Sequence, residues 1–171
     1  MHVSSFFIVH ALRPGLPALL REARAAGATT SVDPNWDPAE KWDSGLRELL
    51  TEIDVLFVND EEALRIARTA DVERAARDLG RHGTTVVVKR GADGALAVGG
   101  DDVVHAPGRV VADPVDAVGA GDSFAAGYVA ALLDDVPLAE RLAFANTCGA
   151  LSLRAAGGTA SQPTKAEALA G

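Results

Sequence analysis

Two acids, Asp116 and Asp122, and a run of small residues stand close together in Asp113-Pro-Val-Asp-Ala-Val-Gly-Ala-Gly-Asp-Ser-Phe-Ala-Ala-Gly127. Gly119-Ala120-Gly121 reads as a tight turn opening into an apolar helix, because Phe124, Tyr128, Val129, Leu132 and Leu133 follow at helical spacing. The first N–H groups of a helix have no partner within it, and the helix dipole adds partial positive charge there. Such a turn is therefore a place for an anion, typically a phosphate. Into that place the sequence puts a carboxylate, Asp122. An acid in the first turn also simply complements the dipole, and this reading stands beside the chemical one. The chemical reading draws on a second acid, Asp116, and on small residues that let a ligand approach the backbone. A carboxylate beside an anion hole suits phosphoryl transfer. The donors hold the charged phosphoryl group while the carboxylate accepts the proton of an attacking hydroxyl.

The stretch Asp116-Ala-Val-Gly-Ala-Gly-Asp122-Ser-Phe resembles the second signature of the ribokinase-like (PfkB) sugar kinases, whose usual form is Asp-Thr-x-Gly-Ala-Gly-Asp-x-Phe. The resemblance implies an ATP-dependent carbohydrate kinase. It makes Asp122 the catalytic base and the backbone of Gly119, Ala120 and Gly121 the anion hole. Ala117 stands where Thr is usual, and the chemistry above does not use that side chain. A dinucleotide fold, suggested by Gly119-x-Gly121, fails on Phe124 at the third glycine position. A non-catalytic nucleotide-binding or interaction module remains the alternative to a kinase.

Other positions gain a second meaning from the same resemblance. Asn59-Asp-Glu-Glu62 reads unaided as an N-cap followed by first-turn acids. By resemblance, Asn59 and Glu62 orient water bound to Mg²⁺ and the triphosphate oxygens, which suits an ion that keeps several waters. Lys89-Arg-Gly-Ala-Asp-Gly94 reads as a turn between strands. The resemblance makes it a nucleotide-contacting loop, with Gly91 and Gly94 allowing close approach and Lys89 reaching phosphate. Asn146, in a helix of small residues, is either a core amide satisfied by backbone or a nucleoside contact. Asp116, the backbone at Val118, and the segment from Gly157 to Ser161 match positions that hold an activating K⁺ in many members. Kinases of acid sugars usually carry Arg where this chain has Asp37, and an Asp there would repel a substrate carboxylate. Lys89 points towards that branch and Asp37 away from it, so no sugar is chosen.

A formal charge of −8 over 171 residues, with no basic run, argues against nucleic acid and anionic membranes as partners. One cysteine, Cys148, excludes an internal disulfide, and the four histidines have no metal-ligand spacing. The apolar run from Val3 to Val9 is too short to span a bilayer and reads as a buried strand. A cytoplasmic protein is expected, with ATP and a small sugar or sugar derivative as ligands.

In chain order the pattern gives the strand at Val3–Val9, a helix from about Pro14 to Ala26, and a strand at Thr29–Asp33. A helix around Glu40–Leu50, a strand at Asp54–Val58, helices at Asp60–Thr69 and Val72–Arg81, and a strand at Thr84–Lys89 come next. A hairpin of Ala95–Val98 and Val103–Ala106 and helices at Gly121–Leu133 and Leu138–Leu153 close the pattern. The expected architecture is a three-layer α/β ribokinase-like fold with a mainly parallel sheet and a small antiparallel patch. Residues 1–171 read as a single, partial kinase domain. Family members are longer, so the chain is expected to be their C-terminal nucleotide-binding part, without the N-terminal part and the lid. An exposed sheet edge would then favour self-association, such as a homodimer.

Overall fold

The computed structural model describes residues 1–170. Six strands form one sheet in the order β1 (His2–Ser4), β2 (Ser31–Asp33), β3 (Val55–Asn59), β4 (Thr85–Lys89), β5 (Ala95–Gly99) and β6 (Asp102–Ala106). β1 pairs parallel with β2, placing Val3 beside Val32, and β2 pairs parallel with β3, placing Val32 beside Leu56. Parallel partners need a crossover, and α1 (Leu16–Ala25) supplies the first. β5 follows β4 after a single 3-10 turn, and β6 follows β5 after Gly100-Asp101, connections short enough only for antiparallel neighbours. The sheet is mostly parallel with an antiparallel patch at one end, as expected.

The chain divides into two compact units, one of Met1–Val88 with Ala97–Val103 and one of Lys89–Leu96 with the residues from Val104 onward. In the first unit β3 and β4 are almost wholly buried, with Leu56, Phe57, Val58, Val86, Val87 and Val88 at 0% exposure. That is why they read as continuous apolar runs instead of alternating ones. Helices α3 (Asp60–Ala67) and α4 (Val72–Leu79) follow β3. α4 starts where the Asp71 carboxylate accepts the Arg74 N–H at 2.7 Å, an N-cap worth about 1 kcal/mol.

Two expectations for this unit are corrected. The run Val3–Val9 is a strand only as far as Ser4; Ser5 has φ 62° and the chain turns, with Ile8 N–H donating to Ser5 O at 2.9 Å. Phe6 and Phe7 are buried all the same, Phe6 edge-on to Phe7 and Phe7 edge-on to Trp42. Apolar periodicity reports burial, and here aromatic packing buries a turn. The helix expected over Glu40–Leu50 shrinks to α2 (Leu46–Leu49) and a 3-10 turn at Leu50–Glu52. The Asp37 carboxylate takes the N–H groups of Ala39, Lys41 and Trp42 at 2.8 to 2.9 Å, drawing that backbone away from helix.

The second unit carries α5 (Ala120–Leu133) and α6 (Leu138–Ser152), packed closely against each other. A Cβ on Gly127 would lie 2.6 Å from Cys148 Sγ, so only glycine permits this approach. A last helix, α7 (Lys165–Ala170), is absent from the sequence expectation. Its signal is Thr164-Lys-Ala-Glu167, a capping box: Thr164 N–H donates to Glu167 Oε2 at 2.7 Å and Glu167 N–H to Thr164 Oγ1 at 3.3 Å. Among the described residues no helix is long and apolar enough to cross a membrane.

Candidate active site

Gly119 is the N-cap of α5 and has φ 77°, a left-handed backbone that glycine adopts without strain. The Gly158 carbonyl also fills the space beside it, 2.6 Å from where a Cβ would be. Beyond this cap Ala120 N–H donates to Ala117 O at 3.2 Å and Ser123 N–H to Gly119 O at 2.9 Å. The N–H groups of Gly121 and Asp122 have no acceptor among the described residues, so the open donors lie one step further along the helix than Ala120. Asp122, the third helical residue, is exposed and its carboxylate makes no hydrogen bond or ion pair with the described residues. It does not reach back to cap the helix.

Lys89 stands at the same helix end. Its Nζ lies 3.3 Å from the point a Cβ on Gly121 would occupy, adding positive charge beside the positive pole of the dipole. Behind it opens a cavity of about 400 Å³ within the second unit. Lys89, Gly91, Arg109, Ala120, Phe124 and Asn146 are among the residues that line it. The lining is mostly apolar with a few polar groups, the usual character of a small-molecule site.

The two glycines of the Lys89–Gly94 loop do different work. Gly91 has φ 57° and open space where a side chain would project. A Cβ on Gly94 would fall 2.1 Å from Ala106 O, and one on Gly108 would fall 2.1 Å from Ala92 O. The close approach at Gly94 is thus to the protein's own backbone, and Gly108 is its reciprocal partner. Asn146, 8% exposed, donates to Ala106 O at 3.3 Å and Pro107 O at 3.0 Å, tying α6 to the same segment. It lines the cavity while satisfying the core reading of its amide.

Asp116 joins two loops. Its Oδ1 accepts the Val118 N–H at 3.0 Å and its Oδ2 the Gly157 N–H at 2.9 Å. These amides, Val118 first, hold its carboxyl below the usual 3.8. Ser161 Oγ donates to Ser152 O at 2.5 Å.

Asn59 and Glu62 belong to the first unit and form a complete capping box. Glu62 N–H donates to Asn59 Oδ1 at 2.8 Å, and Asn59 N–H to Glu62 Oε2 at 2.9 Å. Glu62 is 4% exposed. Asp37 is equally enclosed, with both oxygens given to loop amides, and it has no carboxylate turned out to repel a ligand. No cluster of three or more His, Cys, Asp or Glu side chains suited to a metal occurs among the described residues.

The family of pfkB carbohydrate kinases matches residues 1–165 of this chain. The chain belongs to that family. Among curated relatives of this pfkB chain, the ATP-dependent ribose-1-phosphate kinase of Halopiger xanaduensis is 40% identical over 136 residues, covering 79% of this chain and 43% of its own. The 2-dehydro-3-deoxygalactonokinase of Haloferax volcanii is 33% identical over 148 residues, covering 82% and 46%. A solved ribokinase II from E. coli, in complex with ATP and Mg²⁺, superposes with a TM-score of 0.86 at 26% identity, covering 99% of this chain and 56% of its own. A double-mutant fructokinase from Vibrio cholerae O395, in a fructose-, ADP- and potassium-bound form, gives 0.85 at 26% identity, covering 99% and 58%. The chain spans about half the length of the curated relatives it matches.

Within the pfkB chain, sequence reasoning passed over Gly108 and Arg109. Gly108 carries no motif, since its need arises only when the 91–94 turn meets it. Arg109 lies in a loop without periodicity, and only the cavity brings it beside Lys89 and Gly91.

Proposed function

We propose that this chain is the nucleotide-binding part of a cytoplasmic, ATP-dependent carbohydrate kinase, with residues 1–171 forming one partial kinase domain. The observations that carry this reading are the exposed, uncommitted Asp122 carboxylate in the first turn of α5, the open Gly121 and Asp122 amides of that turn, and the Lys89 ammonium next to Gly121. Asp122 accepts the proton of a sugar hydroxyl as its oxygen bonds to the γ-phosphorus of ATP and the bond to the β-phosphate oxygen breaks, giving ADP and the sugar phosphate. The backbone at Gly119, Ala120 and Gly121 cradles the transferred group, with the Gly121 and Asp122 N–H groups as its donors. Lys89 and Gly91 face the phosphates. Gly94 and Asn146 shape the wall on which the nucleoside lies.

Among the described residues no acidic cluster would hold Mg²⁺, so the ion would take chiefly phosphate oxygens and water, with Asn59 and Glu62 orienting that water, and would supply charge neutralisation at the triphosphate. Asp116, the Val118 backbone, Gly157 and Ser161 frame the K⁺ position, where the Asp116 oxygens would use the lone pairs their amide bonds leave. The other ligand is a small sugar or sugar derivative. No nucleic acid or membrane is a partner, and a homodimer covers the sheet edge.

The test is ADP release from MgATP by the purified chain, with and without K⁺, across aldoses, ketoses, sugar acids and nucleosides. Sugar-dependent turnover is expected, and failure to bind ATP saturably would overturn the reading. A second reading, a non-catalytic nucleotide-binding module, is favoured by the half-length match to the relatives. It predicts saturable ATP binding with no sugar-dependent ADP.

A further inference from the structure

A cavity of about 200 Å³ lies where α3 turns into α4, wholly within the first unit. Arg68, Thr69, Arg74, Asp78 and Arg81 are among the residues that line it. Arg74 and Asp78 are four residues apart on α4 and share a face of it, and Arg81 follows the end of that helix. Arg68 caps the end of α3 with φ 56°, a left-handed backbone for which glycine is the usual choice. The backbone there favours the lack of a side chain, yet the sequence places a long cation.

Arg68 and Arg74 also differ from the other arginines. Neither guanidinium makes a hydrogen bond or ion pair among the described residues, whereas every other arginine of the chain has a partner. Both line this one cavity. The acids nearby are already committed. Asp78 Oδ2 accepts from Arg47 at 2.8 Å and its Oδ1 pairs with Arg81 at 3.3 Å. Glu73 pairs with Arg77 at 3.0 Å, and Asp71 accepts the Arg74 N–H at 2.7 Å as the cap of α4. The wall thus sets three guanidiniums against one carboxylate, in a chain whose formal charge is −8. Guanidinium forks match the paired oxygens of a phosphoryl group. Thr69 Oγ1 accepts the Asp71 N–H at 3.4 Å, which leaves its own O–H to donate into the cavity it lines. The acidic chain as a whole repels a polyanion such as nucleic acid, so the local excess of positive charge suits a small dianion.

We infer that this cavity is an anion site for a small dianion that presents a phosphoryl group, either free phosphate or a phosphate monoester. Arg68 and Arg74 are its main contacts, with Arg81 and Thr69 beside them. It shares no lining residue with the proposed nucleotide cavity and does not depend on the kinase reading.

Inorganic phosphate serves as the probe, titrated in low-salt buffer into the whole 171-residue chain and followed by backbone amide shifts in NMR, which separate this site from the start of α5. Saturable shifts are expected across residues 67–74. Arg68→Gln and Arg74→Gln each weaken this binding about tenfold, the loss of a charge-assisted hydrogen bond. Each leaves the thermal midpoint of the free protein unchanged, because neither guanidinium holds a partner in the fold. Arg21→Gln removes the same charge outside the cavity wall and changes the affinity by less than about twofold, since distant exposed charges are screened. Glycerol phosphate, titrated alongside, distinguishes the two sources: binding at least as tight marks a monoester as the ligand, and failure to bind marks the free ion. No saturable shift across 67–81 with either probe, undiminished binding by the folded double variant Arg68→Gln/Arg74→Gln, or equal weakening by Arg21→Gln would each overturn the inference. The last result would mean a diffuse effect of charge and no built site.

Discussion

Asp122 and the glycines around it show how far single residues declare themselves. A first-turn acid has two explanations in sequence, and the structure narrows them: the carboxylate is exposed and bonds to nothing among the described residues, so it does not cap its helix. Asp122→Asn is expected to lower sugar-dependent turnover about 10²–10⁴-fold while ATP affinity stays within a few-fold, measured by ADP release and calorimetry. Equal loss of both would remove the base role. Gly91 and Gly94 were indistinguishable as letters. Gly91→Ala meets only the left-handed backbone and costs about 1–2 kcal/mol in chemical unfolding. Gly94→Ala adds a collision with the Ala106 carbonyl and costs clearly more, with loss of the nucleotide cavity. Close contact between two segments distant in sequence leaves no local pattern, which is why Gly108 was missed.

Among the elements, those with strong periodicity and good caps were legible and those made by side-chain capture of backbone were not. α5, α6 and the β5–β6 hairpin appear close to their expected bounds. α2 was overstated because Asp37 takes three amides that a helix would have used. The Asn59–Glu62 capping box was anticipated as an N-cap, and it works as one in α3 whatever else those residues do. Asn59→Ala should therefore cost about 1 kcal/mol in stability, read from denaturant unfolding without nucleotide. If turnover also drops while Asn59→Ser, which restores the cap, stays slow, the metal-water role gains a readout separate from stability. α7 was legible in Thr164-Lys-Ala-Glu167, a signature short enough to be lost behind the glycines before it.

At the scale of the molecule the acid response can be worked out in sign. Burial raises the Asp37 carboxyl, but the amides of Trp42, Ala39 and Lys41, with Arg13, outweigh it and hold the group below 3.8. The amides of Val118 and Gly157 lower Asp116, and the amide and hydroxyl of Thr164 lower Glu167 from 4.5. A carboxyl with a lower value folded than unfolded stabilises the fold fully above its unfolded value and loses that stability as pH falls through the folded one. Thermal midpoints should hold from pH 7 to about pH 5 and drop below pH 4. Asp37→Asn should be less stable than wild type at pH 7, with the gap closing at pH 3. The chain also passes between its two units three times, at 88/89, 96/97 and 103/104. Neither unit is a contiguous stretch of gene. No single cut yields them as separate products: a nick at Gly100-Asp101 leaves each unit assembled from both fragments. A protease that clips this turn would therefore produce a noncovalent heterodimer that migrates as one species until denatured.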